Sequence, residues 1–349
     1  MLTNPERLKG TERAIIVGLR LPSEPDNAVD DHLDELEKLI EAAGGQALAR
    51  LVQDRHAPDP ATYIGKGKAE EVAKLAGTLE ASLVVFDDDL TPGQIRNLEK
   101  TISVKVVDRS TLILDIFAGR ARTREAKTQV ELAQLQYLLP RLTRQWSHLS
   151  RQAGGIGTRG VGETQLEIDR RLVRNRIGRL RDDLEKIERT RRTQREGRWG
   201  PYSVALVGYT NAGKSTLFNR LTGDETFAAN KLFATLDSRI RKAGFETPRD
   251  TVVIDTVGFV RKLPHHLVAS FRSTMEEAVS ADLVLHIVDF SHPQHDEQES
   301  IGEEVLDDLG IREDRVLTVY NKIDRIDHEA RTDDTGTRVW LSALEGEGI

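Results

Sequence analysis

Within the first 120 residues, short apolar runs rich in branched side chains lie at 14–19, 47–52, 83–86 and 104–107. Between them, apolar positions recur at steps of three and four. One such stretch carries Leu33, Leu36, Leu39 and Ile40, and another carries Val72, Leu75 and Leu79. The short runs predict buried strands and the wider spacing predicts helices. Strands alternating with helices predict a small, mainly parallel α/β sheet over residues 1–120.

The pattern changes over residues 121–200. Leu132, Leu135, Leu139 and Leu142 form one helical stripe, and Leu166, Val173, Ile177, Leu180, Leu184 and Ile187 form a second. The second stripe has the a/d spacing of a heptad seam, with arginine and glutamate around it. Between the stripes runs a glycine-rich segment, GGIGTRGVG at 154–162. Two helices separated in this way predict a long antiparallel hairpin with a glycine-rich tip. Pro140 is expected to end or kink the first helix, since proline cannot donate to the preceding turn. The run EGRWGP at 196–201 breaks the second helix and marks a boundary. From residue 201 to 349 the α/β alternation resumes, as expected of a doubly wound domain.

A chain of 349 residues exceeds what one core supports, because single cores stop growing at roughly 250–300 residues. The absence of cysteine excludes disulfides and thiolate metal sites and suits a reducing compartment. The first residues lack the apolar core of a signal peptide, and no stretch approaches the roughly 20 apolar residues of a membrane span. A soluble, cytoplasmic and monomeric protein is therefore expected. Charge is distributed unevenly. Residues 119–200 hold 20 Lys/Arg against 10 Asp/Glu, a balance of +10 that leaves −17 elsewhere from the total of −7. A locally basic segment points to a polyanion such as RNA, against the plainer reading of a solvated, arginine-rich helical surface.

The chemistry lies after residue 201. The apolar run at 204–207 leads into Gly208, Tyr209, Thr210, Asn211, Ala212, Gly213, Lys214 and Ser215, then Thr216. This is the GxxxxGKS/T loop. Its glycines let backbone N–H groups wrap phosphates, Lys214 reaches the β- and γ-phosphates, and Ser215 ligates Mg²⁺ at a helix N-terminus. Guanine is selected by Asn321, Lys322, Ile323 and Asp324, which follow another strand-like run. The Asp324 carboxylate accepts from guanine N1–H and N2–H₂, whereas adenine would leave it unpaired at a cost of about 1–3 kcal/mol. Lys322 is expected to lay its stem along the base. Asp255, Thr256, Val257 and Gly258 form a DxxG motif, with Asp255 holding Mg²⁺ through water and the Gly258 N–H sensing the γ-phosphate. Thr235, within Phe233, Ala234, Thr235, Leu236 and Asp237, is the candidate switch threonine and second Mg²⁺ ligand. Ser342, Ala343 and Leu344 complete the set beside guanine O6. Lys214, Thr235 and Gly258 are the expected catalytic residues, with Mg²⁺ as cofactor and GTP and GDP as substrate and product. Phe259 stands where Ras-type GTPases place a water-orienting glutamine. A phenyl ring neither orients water nor accepts a proton, so intrinsic hydrolysis is expected to be slow, with the missing electrostatics supplied by Mg²⁺, another residue or a partner.

The run GGIGTRGVGETQLEIDRR at 154–171, YIGKGKAEE at 63–71 and DRSTLILDIFAGRARTREAKTQVELAQLQY at 108–137 resemble the HflX family of ribosome-associated GTPases. The resemblance spans nearly the whole chain. It implies an N-terminal α/β domain, a helical linker and a G domain. It also implies binding to the large ribosomal subunit and splitting of stalled ribosomes in stress. The linker tip, about residues 150–162 with Arg151 and Arg159, would contact rRNA together with the basic hairpin. The family is also linked to ATP use by its N-terminal half, although no Walker motif lies there. Many members continue into a C-terminal domain, so a truncated chain is expected. The competing reading is a signalling or scaffold GTPase whose hairpin grips a protein partner.

Three weaker signals complete the reading. Gly65–Lys68 is expected as a basic turn rather than a phosphate site. Asp87, Asp88 and Asp89 are expected as a solvated loop and helix cap rather than a metal site. His265 and His266 follow DxxG and are expected at a surface or interface.

Overall fold

The computed structural model describes residues 12–22, 28–142, 165–196, 201–224, 232–233, 238–244, 246, 249–262, 275, 277–327, 329 and 331–349. By internal contacts the chain divides into two compact units, Met1–Gly119 and Arg120–Ile349. Among the described residues no helix is long and apolar enough to cross a membrane.

The first unit is built on β1 (Arg13–Arg20), β2 (Gln46–Asp54), β3 (Leu83–Phe86) and β4 (Lys105–Asp108), joined by α1 (Ala28–Ala42), α2 (Lys66–Leu79) and α3 (Pro92–Ile102) and followed by α4 (Arg109–Arg120). All pairings are parallel, in the order β2-β1-β3-β4. Residues of β1 alternate between two faces. Ile15, Val17 and Leu19 pack with Val72 of α2 and Leu98 of α3. On the other face, a Cβ added at Gly18 would lie 3.0 Å from Leu33 of α1. Helices thus cover both faces, which is why these strands read as nearly continuous apolar runs. The α3 N-terminus carries a capping box in which the Thr91 side chain accepts from the Gln94 N–H.

One expectation in this unit is corrected in part. Of the three aspartates after β3, Asp87 is buried rather than solvated, whereas Asp88 is partly buried and Asp89 is exposed. Asp87 is 3% exposed and accepts from Arg109 Nη1 at 2.7 Å, while Arg109 Nη2 is bonded to buried Glu35. Asp88 is bonded to the Tyr63 hydroxyl and Asp89 to Ser110. Burial of charge costs heavily unless it is paired and hydrogen-bonded, which explains why buried Asp87 and Glu35 share the Arg109 guanidinium. The helix cap is Thr91 instead. The Gly65–Lys68 turn begins α2 with Gly65 as its N-cap, and the Gly65 N–H donates to Gln53 Oε1 at 2.8 Å.

In the second unit, α5 (Arg124–Leu138) and α6 (Gln165–Glu196) pack through Leu132, Leu135, Ile177 and Leu180, flanked by Leu139, Val173 and Leu184. Pro140 sits in a 3-10 turn, Leu139–Arg141, that closes α5. The segment 143–164, with the glycine-rich tip, lies outside the described residues. A seven-stranded sheet follows, formed by β5 (Tyr202–Gly208), β6 (Arg239–Lys242), β7 (Thr251–Asp255), β8 (Leu283–Asp289), β9 (Val316–Asn321), β10 (Arg331–Thr332) and β11 (Arg338–Trp340). Its order is β10-β11-β9-β8-β5-β7-β6, parallel except for the two edge strands. The helices α7 (Lys214–Thr222) and α8 (His295–Asp308) belong to this unit. Central β5 ends at the phosphate-loop sequence, so the loop emerges at the carboxyl end of the sheet, where open α/β sheets bind ligands.

Candidate nucleotide site

Gly208 closes β5 with φ of +143°, a region open essentially to glycine. A Cβ there would lie 2.1 Å from the Ile287 carbonyl oxygen of neighbouring β8. Asn211 (φ +65°) and Gly213 (φ +99°) then turn the chain into α7. Lys214, the first residue of that helix, is 7% exposed and donates to the carbonyls of Gly208 at 3.0 Å and Tyr209 at 2.7 Å. Burial pulls the Lys214 ammonium down to about 8, against an opposing pull from Asp255.

Three further sequence segments converge on the loop. Ser215 Oγ donates to Asp255 Oδ2 at 3.0 Å, joining the start of α7 to the end of β7. Gly258 lies so close that a Cβ would sit 2.8 Å from Lys214 Nζ and 2.9 Å from Thr210 Cα. Asn321, 2% exposed, donates from Nδ2 to the Ala212 carbonyl at 2.8 Å and accepts from the Ala343 N–H at 2.9 Å. Lys322 Nζ donates to the Asn211 carbonyl at 2.8 Å and to Asp289 at 2.6 Å. Asp324 receives the Ser342 hydroxyl. Leu344 is 61% exposed, and its carbonyl accepts from Arg220.

The four motifs from Gly208 to Ser215, Asp255 to Gly258, Asn321 to Asp324 and Ser342 to Leu344 are thus brought together. Thr216 lies within the first turn of α7. Phe233 is described, buried at 3% and with φ of +54°. Ala234, Thr235, Leu236 and Asp237 lie outside the described residues, as do His265 and His266. The Ser215–Asp255 pair is an all-oxygen donor set of the kind that suits a hard divalent cation. Among the described residues no group of three or more His, Cys, Asp or Glu is placed to hold a metal. A Mg²⁺ at this pair would therefore complete its shell from phosphate and water, as Mg²⁺ commonly does.

Sequence patterning missed several features of this unit. Asn321 is a structural tie between three motifs as well as a base-recognition candidate. Phe259 is 2% exposed and pairs with the loop through its backbone: its N–H donates to the Gly208 carbonyl at 2.9 Å and its carbonyl accepts from the Thr210 N–H at 2.7 Å. His286 of β8 is 1% exposed, and neither ring nitrogen has a hydrogen-bond partner. A Cβ at Gly302 of α8 would strike its Nε2 at 2.1 Å. Nothing in the local pattern of β8 distinguishes this histidine from an apolar strand residue.

Burial lowers the His286 pKa from 6.5 to about 4, with the Lys214 charge contributing. Between those values the unfolded chain binds a proton that the folded chain refuses. Stability is then complete above pH 6.5 and falls toward pH 4, by a total of about 3 kcal/mol. His286→Leu is expected to flatten that part of a denaturant-midpoint profile against pH. An unchanged acid limb in the variant would assign it to other groups.

Comparisons with known proteins agree in placing the chain. Residues 30–118 match a family model described as GTP-binding GTPase N-terminal, residues 120–198 one described as GTP-binding GTPase Middle Region, and residues 203–322 one described as 50S ribosome-binding GTPase. The GTPase HflX of Lacrimispora saccharolytica is 49% identical over 97% of this chain and 80% of its own length. That of Escherichia coli is 47% identical over 99% of this chain and 82% of its own. A crystal structure of a GTP-binding protein from the hyperthermophilic archaeon Sulfolobus solfataricus, in complex with GDP, shares the fold. Its TM-score is 0.50 at 23% identity, covering 97% of this chain and 94% of that one.

Proposed function

This chain belongs to the HflX family of GTPases, and we propose that it binds the large ribosomal subunit and uses its GTP cycle to dissociate stalled ribosomes. The division into residues 1–120, 121–200 and 201–349 is part of this reading, and the extents of the three matching family models support it. In the G domain, backbone N–H groups of residues 211–215 and the Lys214 ammonium take the phosphates. Asp324 takes the guanine edge, with Asn321 and Lys322 holding that segment against the loop. Ser215 and Thr235 ligate Mg²⁺, with Asp255 outside them. With a Mg²⁺ held by Ser215 and Thr235, charge on the phosphates would be neutralised. The Gly258 N–H faces the γ-phosphate. With Phe259 buried, the residue after DxxG contributes only its backbone, so turnover waits on groups that a partner supplies.

The observation that carries the ribosomal reading is α6. It is 32 residues long, and α5 covers its apolar seam from Val173 to Leu184. Arg171, Arg174, Arg179 and Arg181 are exposed along it. An extended basic rod suits a phosphate backbone. Over that stretch the covered seam disfavours a scaffold that grips a protein partner by coiled-coil contacts.

GTP turnover measured with and without purified large subunits, using Lys214→Ala as the blank, tests this reading. Many-fold acceleration is expected, with subunit binding that weakens steeply as salt rises. Sedimentation of stalled ribosomes incubated with the protein and GTP should show separated subunits. A chain that binds GTP yet turns it over at the same rate with subunits at low salt would overturn the ribosomal reading.

A further inference from the structure

The segment that follows DxxG is fastened to the phosphate loop by the Tyr209 side chain. The Tyr209 hydroxyl accepts the backbone N–H of Arg261 at 2.8 Å and its Nε at 3.4 Å. Tyr209 and Arg261 are buried, at 4% and 5% exposure. The Arg261 guanidinium continues to Glu297 in the first turn of α8, with Nη1 donating at 3.5 Å. With the two Phe259 backbone bonds already described, residues 259–261 are tied to residues 208–210 by four hydrogen bonds. On the other side, the Thr256 hydroxyl donates to the Leu206 carbonyl at 2.6 Å. Gly258 therefore hangs between two anchored points, beside Lys214 Nζ and Thr210.

We propose that Tyr209 and Arg261 are positioning residues for the GTPase reaction: their latch sets the Gly258 peptide at the place where it reads the γ-phosphate. The physical reason lies in Phe259. With Phe259 buried, the side chain directly after DxxG does not address the nucleotide, so recognition of the γ-phosphate falls to the Gly258 N–H, and its strength depends on orientation. A hydrogen bond to phosphate weakens steeply once its angle opens, so fixing the peptide in advance favours GTP over GDP. GDP has no γ-phosphate and gains little from the latch. Glu297, half-exposed on α8, links the same segment to a surface helix. The inference rests on the reading that Lys214 and Gly258 meet the phosphates.

Tyr209→Phe removes the hydroxyl and leaves a buried N–H without its acceptor, while the ring still fills its space. Affinities for the non-hydrolysable analogue GMPPNP and for GDP, measured by fluorescence competition, should show their ratio falling about tenfold toward GDP. Glu297→Gln and Arg261→Lys should shift the ratio in the same direction by a smaller factor. Equal losses for both nucleotides, or a ratio within twofold of wild type in Tyr209→Phe, would overturn the latch. Should Tyr209→Phe not fold, unchanged ratios in the other two variants would overturn it equally. A wild-type chain that binds GMPPNP no better than Lys214→Ala does would instead fail the site reading and take the latch with it. Wild-type binding with an unmoved ratio in the variants fails the latch alone.

Discussion

Lys214→Ala is expected to weaken binding of both GTP and GDP by about 100-fold, through loss of a charge-assisted contact to the β-phosphate, and to abolish measurable turnover. The side chain is held in place by the loop itself. Its ammonium donates to the Gly208 and Tyr209 carbonyls and is nearly inaccessible to solvent. Burial draws its pKa down to about 8, which means that the folded chain holds this charge against a desolvation penalty. A phosphate arriving beside it replaces the lost hydration with an opposite charge. Removing the amine also removes that penalty, so the variant is expected to melt close to wild type. Titration with fluorescent GDP, alongside a thermal melt, checks both halves. Nucleotide affinity within threefold of wild type would mean that the loop is not the phosphate site.

Gly208→Ala is expected to have the largest effect on stability, above about 4 kcal/mol, the range reached by few single substitutions. Two costs coincide there. The backbone has φ of +143°, which strains any residue with a Cβ. The added methyl would also meet the Ile287 carbonyl oxygen at 2.1 Å, and that carbonyl belongs to a central strand that cannot move alone. Relief would require separating β5 from β8, the two strands at the middle of the sheet. Denaturant unfolding followed by a probe in the second unit should show the loss, with guanine-nucleotide binding lost in parallel. A wild-type midpoint would show that the loop adopts another conformation in solution.

These expectations draw on features that differ in how far they can be read along the chain. Phosphate recognition is carried by consecutive backbone N–H groups, one lysine and glycines at fixed offsets. A short segment such as 208–215 therefore announces it without its neighbours. Amphipathic periodicity is local in the same way, and the α5–α6 seam follows from it. The four strands of the first sheet and β5, β7 and β9 of the second follow from apolar runs, whereas the exposed edge strand β6 (Arg239–Lys242) and the short β10 do not and take shape only by pairing.

The tertiary structure alone decided the rest, for one physical reason: a buried polar group takes its meaning from residues distant in sequence. Asp87 looks like part of a solvated acidic loop until Glu35 and Arg109, 74 positions apart, enclose it. Asn321 reads as a base-contacting residue, yet it also joins Ala212 to Ala343 across 109 and 22 positions. His286 has the surroundings of an apolar strand residue, and only the approach of Gly302 shows how it is accommodated. Tyr209 occupies a loop position that places no demand on its side chain, and its hydroxyl finds Arg261 only after β5 and β7 pair. The chain by itself determined which chemistry is present. The packing determined which groups hold it in place, because hydrogen bonds buried from water must be completed by whatever the fold brings within reach.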